Sequence, residues 1–476
     1  MQIRHTKLEI DPDEPFKNDE LRRKDLEPPL TQFVTQATGS FVLALDASWG
    51  SGKTTFLEMW KAKLSQAGHA CLYLNAWQND FAQDPLIAII GELTEAIKDF
   101  AKQSGETESA LKEQMEKTRQ FAESLLKRLL PLGIKIATHG LLDIKEAAIE
   151  KAIADATSSG GEDLIKNYEK GKSEIEKFRE AIGDLASQVA SLNPSAKVVI
   201  IIDELDRCRP TYAIELLERV KHLFDASGVV FILGIDRSQL NHSIRSLYGS
   251  EFDATGYLRR FIDLDYRLPE PQVGDYCKYL FENFGINDLM SKRNRNYDDY
   301  QLESHLEGLM SAAKMSLREQ EQTISRLRIV LQTIPRYAQL YGNILSLLLF
   351  LREWNTNIYE DVIEGKIDLD KIIPQIEALP RIKEVSGNFI NVGMIEAYFL
   401  LIQAELRMFD LTLPRLAIYK SLDQSIMTPE VEKAQQVIAT YEKFLSSTND
   451  HRFVHMGFKE TVRRIAITNN FVSYEN

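Results

Sequence analysis

Cysteine is scarce in this chain: Cys71, Cys208 and Cys277 stand far apart among 476 residues and in no metal-ligand spacing. That excludes a disulfide-stapled scaffold and leaves buried thiols in a reducing compartment as the expectation. Long apolar runs are lacking too. The longest, Tyr337 to Leu351, has 15 residues and carries Gln339, Gly342 and Asn343, short of the ~20 that span a bilayer. The stretch from Arg4 to Asp25 is charged and has no signal-peptide core. Positive charge is in deficit, with 57 Lys+Arg against 70 Asp+Glu and a formal net charge of −13. A broadly basic nucleic-acid groove is therefore disfavoured, while a local basic patch stays open. The 8 histidines, His451 and His455 among them, form no metal-binding pattern. A soluble cytoplasmic protein without a membrane partner is expected.

What is present is ordinary globular composition, 44% hydrophobic and 27% charged, with length for two or three domains. Four apolar runs read as buried strands: Phe41 to Leu45, Cys71 to Leu74, Val198 to Ile202 and Val229 to Gly234. Helical patterns separate them, which predicts a parallel sheet wrapped by helices. Between the second and third runs lie two heptad seams. Leu111, Met115, Thr118, Ala122, Leu125 and Leu129 form one; Tyr168, Gly171, Ile175, Phe178, Ile182, Leu185, Val189 and Leu192 form the other. They describe either two amphipathic helices folded on the body or a projecting antiparallel arm. After Pro269-Glu270-Pro271 only helical segments follow.

The turn after the first strand reads Ala47-Ser48-Trp49-Gly50-Ser51-Gly52-Lys53-Thr54-Thr55. A loop of this kind curls backbone N–H groups around phosphates. Gly52 permits the curl, Lys53 reaches the β- and γ-phosphates, the Thr54 hydroxyl ligates Mg²⁺, and the helix starting there adds its dipole. Ala47 stands where the motif usually has its first glycine, which predicts a slightly restrained loop. The third strand ends in Asp203-Glu204. In that position Asp203 would hold the Mg²⁺ shell and Glu204 would polarise the attacking water. The fold class expected is α/β, a P-loop NTPase parallel-sheet core with a long helical insertion and a helical C-terminal region. The expected domains are 15–92 and 193–270 for the core, 93–192 for the insertion, 271–350 for a helical lid and 351–476 for a C-terminal helical domain.

Trp49 in the P-loop, Asn75-Ala76-Trp77 after the second strand, and Asp203-Glu204-Leu205-Asp206-Arg207-Cys208 together resemble the KAP family of P-loop NTPases, part of the STAND group. Phe231 to Arg237 and Gly256 to Ile262 extend the resemblance, and Ser316 to Glu319 and Ile334 to Arg336 carry it more weakly. The resemblance implies ATP as substrate, nucleotide-controlled assembly into a homo-oligomer, and protein partners such as operon-encoded effectors. Some similar bacterial proteins are ATPases of anti-phage operons, the four-gene Qat systems among them. Many relatives place transmembrane helices between the P-loop and the acidic end of the third strand; here the 150 positions from Lys53 to Asp203 carry charged helix instead.

Further positions have two readings each. Asp236 is a γ-phosphate sensor or a helix N-cap. Arg259 and Arg260 supply an arginine finger to a neighbour or lie solvated. Arg336 resembles a lid sensor. Asp206 and Arg207 are expected to pair with each other beside the site, and Trp77 to be a core or interface aromatic. The functional expectation is slow Mg-dependent ATP hydrolysis controlling partner engagement. A nucleotide-gated scaffold and a nucleic-acid-stimulated motor are the alternatives.

Overall fold

The computed structural model describes residues 8–81, 176–293, 301–335, 340–385, 390–406, 413–423 and 427–447, apart from 38, 178, 192, 225, 227 and 272, together with 85, 113, 464 and 465. Arg336, the whole Leu111–Leu129 seam, and Tyr168, Gly171, Ile175, Phe178 and Leu192 of the second seam lie outside the described residues. The chain divides into two compact units, 8–270 and 271–476.

The first unit is built on one parallel sheet of five strands: β1 (Phe41–Asp46), β2 (Ala70–Asn75), β3 (Val198–Asp203), β4 (Val229–Ile235) and β5 (Leu264–Arg267). Their spatial order is β2-β3-β4-β1-β5. The central strands β3 and β4 are buried along their whole length, as apolar runs covered on both faces must be. Alternation along the strands divides the core in two. Leu43, Leu45, Val199, Ile201, Val230 and Ile232 face α1 (Glu27–Gln36) and α2 (Lys53–Gln66). Val42, Ala44, Ile200, Ile202, Phe231 and Leu233 share a core with helical residues 179–191 (α3), α4 (Pro210–Phe224), α5 (Arg237–Tyr248) and α6 (Ala254–Leu258).

One expectation is corrected and one open alternative is decided for the described residues. A fifth strand exists where none was read: β5 is short, mostly exposed and carries Asp265 and Arg267, an edge strand without an apolar run. The described end of the second seam also has a definite place. Ile182, Leu185 and Val189 of α3 are buried against the sheet, so this part of the insertion is folded on the body.

The second unit is helical: α7 (Val273–Asn283), α8 (Ile286–Ser291), α9 (Leu302–Ala312), α10 (Leu317–Thr333), α11 (Gly342–Trp354) and α12 (Thr356–Ile363). It continues with α13 (Leu369–Glu377), α14 (Ile382–Val385), α15 (Val392–Leu406), α16 (Pro414–Ser421) and α17 (Pro429–Ser447). The longest apolar run becomes α11, buried on every side from Gly342 through Leu351, Asn343 and Ser346 included, in a single core that reaches α17. Ser316 and Glu319 form a reciprocal capping box at the start of α10. Among the described residues no helix is long and apolar enough to cross a membrane.

Candidate functional site

Parallel strands bring their C-terminal ends to one edge of the sheet, and α/β proteins bind ligands there. β1 ends at Asp46 and turns through Ala47 to Gly52 into α2. Gly50 (φ 68°) and Gly52 (φ 81°) take the left-handed backbone that the curl demands. Among the described residues the non-glycines with positive φ are Arg22, Glu204 and Lys314. Ala47 is not one of them, so its methyl group puts no restraint on the loop. The Ala47 N–H donates to the Ile235 carbonyl at 3.0 Å, tying the loop's first residue to β4.

Lys53 is buried, its Nζ 3.2 Å from the Ala47 carbonyl and 3.8 Å from Asp206 Oδ1. The Ser51 hydroxyl is buried in the loop and finds no partner among the described residues. Asp236 caps α5 with Oδ1, accepting from Ser238 N at 3.0 Å and Gln239 N at 3.2 Å. Its Oδ2 accepts the Trp49 backbone N–H at 3.2 Å, which joins the end of β4 to the P-loop. Thr55 is half-buried in the first turn of α2.

Asp203 is fully buried at the end of β3. Its carboxylate accepts from Tyr73 Oη at 2.9 Å and from the Glu204 N–H at 2.8 Å, and the Thr54 hydroxyl lies close enough to stabilise its charge. Burial pushes its pKa up, while the Thr54 hydroxyl, the Lys53 charge and Tyr73 pull it down. Burial and the Asp203 charge in turn push the Tyr73 phenol up. Room for the carboxylate comes from Gly234 on the adjacent strand. A Cβ there would lie 2.4 Å from Asp203 Oδ1 and 2.5 Å from Leu57 Cδ1.

Glu204 takes a left-handed backbone (φ 59°), a strain of about 1–3 kcal/mol for such a residue that its surroundings must hold. Asn75 Nδ2 donates to its Oε2 at 2.9 Å, and Arg207 Nη1 lies 3.2 Å from its Oε1. The expected Asp206–Arg207 pair is not formed. The turn Leu205–Arg207 carries Arg207 back to Glu204 and sends Asp206 to Lys53. Trp77 is not a core residue either: it is 39% exposed, with the Arg207 guanidinium 5.7 Å from its ring centroid.

Arg259 and Arg260 are exposed at the end of α6, Arg260 lying 5.8 Å over the Tyr257 ring. Three contributors were given no role by sequence reasoning: Tyr73, Asn75 and Arg23. Arg23 Nη2 donates to the Ser51 carbonyl at 2.6 Å. Burial pushes its pKa down to about 10, and its Nη1 finds no partner among the described residues.

Among the described residues no three His, Cys, Asp or Glu cluster so as to hold a metal alone. The adjoining Thr54 hydroxyl and Asp203 carboxylate are instead the hard oxygen donors that fit Mg²⁺, an ion usually bound by one or two protein groups plus phosphates and water. The buried Lys53, the free Ser51 hydroxyl and the left-handed glycines fit a phosphate chain on the same edge.

The KAP family P-loop domain matches residues 30–336. The chain belongs to the KAP family. Membership carries nucleotide binding with it. The Phage T7 exclusion protein of Escherichia coli (strain K12) is 25% identical over 247 residues, which take in 50% of this chain and 31% of that protein. The solved structure of C. elegans PCH-2 matches with a TM-score of 0.28 and 13% identity, covering 72% of this chain and 70% of that one. That likeness is distant, and nothing follows from it for this chain.

Proposed function

We propose that this KAP protein binds Mg-ATP at residues 49–55 and hydrolyses it slowly, its nucleotide state controlling engagement of protein partners. The observation that carries the reading is the convergence of a buried Lys53, a left-handed glycine turn and an adjacent Thr54 and Asp203 at one sheet edge. Lys53 would neutralise the β- and γ-phosphates and the 50–54 backbone would hold them. Bound Mg²⁺ would neutralise phosphate charge, held by Thr54 and Asp203. Glu204 would take a water by hydrogen bond and accept its proton. Asp236, joined to Trp49, would register changes in the loop. Arg259 and Arg260, exposed in the single chain, are the candidates to complete a neighbour's site, with turnover then dependent on protein concentration. A role in excluding phage accords with the name of the Escherichia coli relative, of which the matched part is about a third.

One observation favours a second reading, a nucleotide-gated scaffold with incidental turnover. Both Glu204 oxygens are already engaged, by Asn75 and Arg207, so a water must share the carboxylate's remaining lone pairs with them. The deciding experiment is calorimetric titration of wild type and Lys53→Ala with Mg-ATP. Binding should be lost in the variant, which removes the cation that the motif sets on the phosphates. Equal affinities would sink the P-loop reading. Phosphate release with and without DNA or RNA, run in parallel, tests the motor alternative.

A further inference from the structure

Asp206 belongs to neither the P-loop nor the Asp203–Glu204 pair, yet its carboxylate faces the loop. Its side chain is 1% exposed. Oδ2 accepts the indole N–H of Trp49, and Oδ1 lies 3.8 Å from Lys53 Nζ with no hydrogen-bond partner among the described residues. The Lys53 ammonium is thus paired with this carboxylate and the Ala47 carbonyl, and the buried Asp203 carboxylate also feels its charge. Phosphate must come to the same ammonium. Two anions within a few ångströms repel strongly where water is excluded to screen them.

We propose that Asp206 is the resident counter-ion of Lys53, displaced when a phosphate takes the lysine, and that Trp49 carries the displacement to the protein surface. The proposal rests on Lys53 being the phosphate ligand. Trp49 suits the second part because it is bonded at both ends. Its indole N–H holds Asp206, its backbone N–H holds Asp236 at the head of α5, and the residue is 46% exposed. A carboxylate leaving Lys53 must break or drag the indole contact, and an exposed aromatic then changes its setting. Asp206 in this role sets nucleotide affinity: it weakens every ligand that places a phosphate on Lys53 and no other.

Asp206→Asn in the full chain removes the charge while keeping size and an acceptor for the indole. In calorimetry with Mg-ATP and Mg-ADP this variant should bind at least ~10-fold tighter than wild type, the direction that removing a buried like charge dictates. AMP, whose phosphate stops short of the lysine, should show no gain. Tryptophan emission gives an independent reading. Wild type should show a Mg-ATP-dependent change that saturates with the calorimetric midpoint and is absent from Trp49→Phe, which leaves Trp60, Trp77 and Trp354 in place.

Equal or weaker ATP binding by a folded Asp206→Asn protein, or a gain shared by AMP, overturns the proposal and makes Asp206 a ligand or a plain structural group. Should that variant fail to fold, a wild type that binds Mg-ATP with no Trp49-specific change in emission overturns it instead. Lys53→Ala separates the two levels. If it binds ATP as wild type does, the P-loop reading itself has failed; if it loses binding while Asp206→Asn gains nothing, only the counter-ion proposal has.

Discussion

In the sheet-bearing unit, Arg23, Lys53, Asp203, Asp206 and Asp236 are all buried and all touch the P-loop or the first turn of α2. In the helical unit the buried charges lie apart and answer the fold's own needs. Arg293 donates to the carbonyls of Ile334 at 3.2 Å and Pro335 at 2.9 Å, just past the end of α10. Glu396 of α15 is fully buried between Arg415, the Tyr419 hydroxyl at 2.7 Å and Lys433 at 3.2 Å. Polar atoms are left short on both sides: Arg23 Nη1 and Asp206 Oδ1 of the first set, with Ser51 Oγ in the loop beside them, have no hydrogen-bond partner among the described residues, and neither has Glu396 Oε2 of the second, which has the Lys433 charge at 3.2 Å instead. Desolvated polar atoms left short at a strand edge are costly for stability alone and make sense where a ligand completes them. A buried charge enclosed by opposite charges is architecture; one facing a phosphate-sized turn is equipment.

The comparison breaks if the two sets respond alike to mutation. The largest stability effect should come from the helical unit. Glu396→Ala removes the anion shared by Arg415, Lys433 and Tyr419 and should cost about 3 kcal/mol, the lower end for a broken buried pair. The lower end applies because Arg415 keeps Asp370 at 2.5 Å and Lys433 keeps Glu377 at 2.8 Å. Chemical denaturation checks the loss, and Mg-ATP affinity of the folded protein should be unchanged. Glu204→Gln should do the reverse. It keeps size and ATP affinity, hardly alters stability, and slows turnover by ~100-fold, the scale of a lost acid–base group. Phosphate release near the wild-type rate would move the base to another residue.

Much of the first unit was legible because its strands are apolar runs and its turn is a phosphate motif. What stayed hidden depended on neighbours that no local pattern names. Tyr73 and Asn75 matter because β2 pairs with β3 in a register that sets Asn75 opposite Asp203. Arg23 sits in a run, Arg22-Arg23-Lys24-Asp25, that reads as solvated charge, but the left-handed Arg22 turns it inward. Adjacent charges suggested Asp206 with Arg207; side chains one apart in a tight turn diverge, and those three apart meet. The Ile182-Leu185-Val189 seam announced a helix and an apolar face, yet a heptad pattern is silent on whether a sheet or another helix covers it. In the helical unit α11 was visible as an apolar run, while its role as a core helix needed the surrounding helices.

The smallest expected effect concerns pH and belongs to the helical unit alone. His305 on α9 is 2% exposed, its ring 6.0 Å from that of Tyr398, and its Nδ1 has no partner among the described residues. Burial pushes its pKa down from 6.5 to about 4, with the neighbouring Asn343 side chain opposing the shift. Between those two values the unfolded chain takes up a proton that the folded chain refuses. Stability therefore rises with pH across that window: the His305 contribution is fully present above about 6.5 and drains away as pH falls toward 4. At pH 5 about 1.5 units of the window have been crossed, worth roughly 2 kcal/mol. Denaturation of wild type and His305→Gln at pH 7 and pH 5 isolates it, because the variant retains every other titrating group. The stability difference between the two proteins should move against wild type by roughly 2 kcal/mol on acidification, on the same unfolding transition that Glu396→Ala shifts. A difference that stays flat would mean that His305 reaches water or a carboxylate when charged, and that the helical unit's buried polar groups are less sealed than those beside the P-loop.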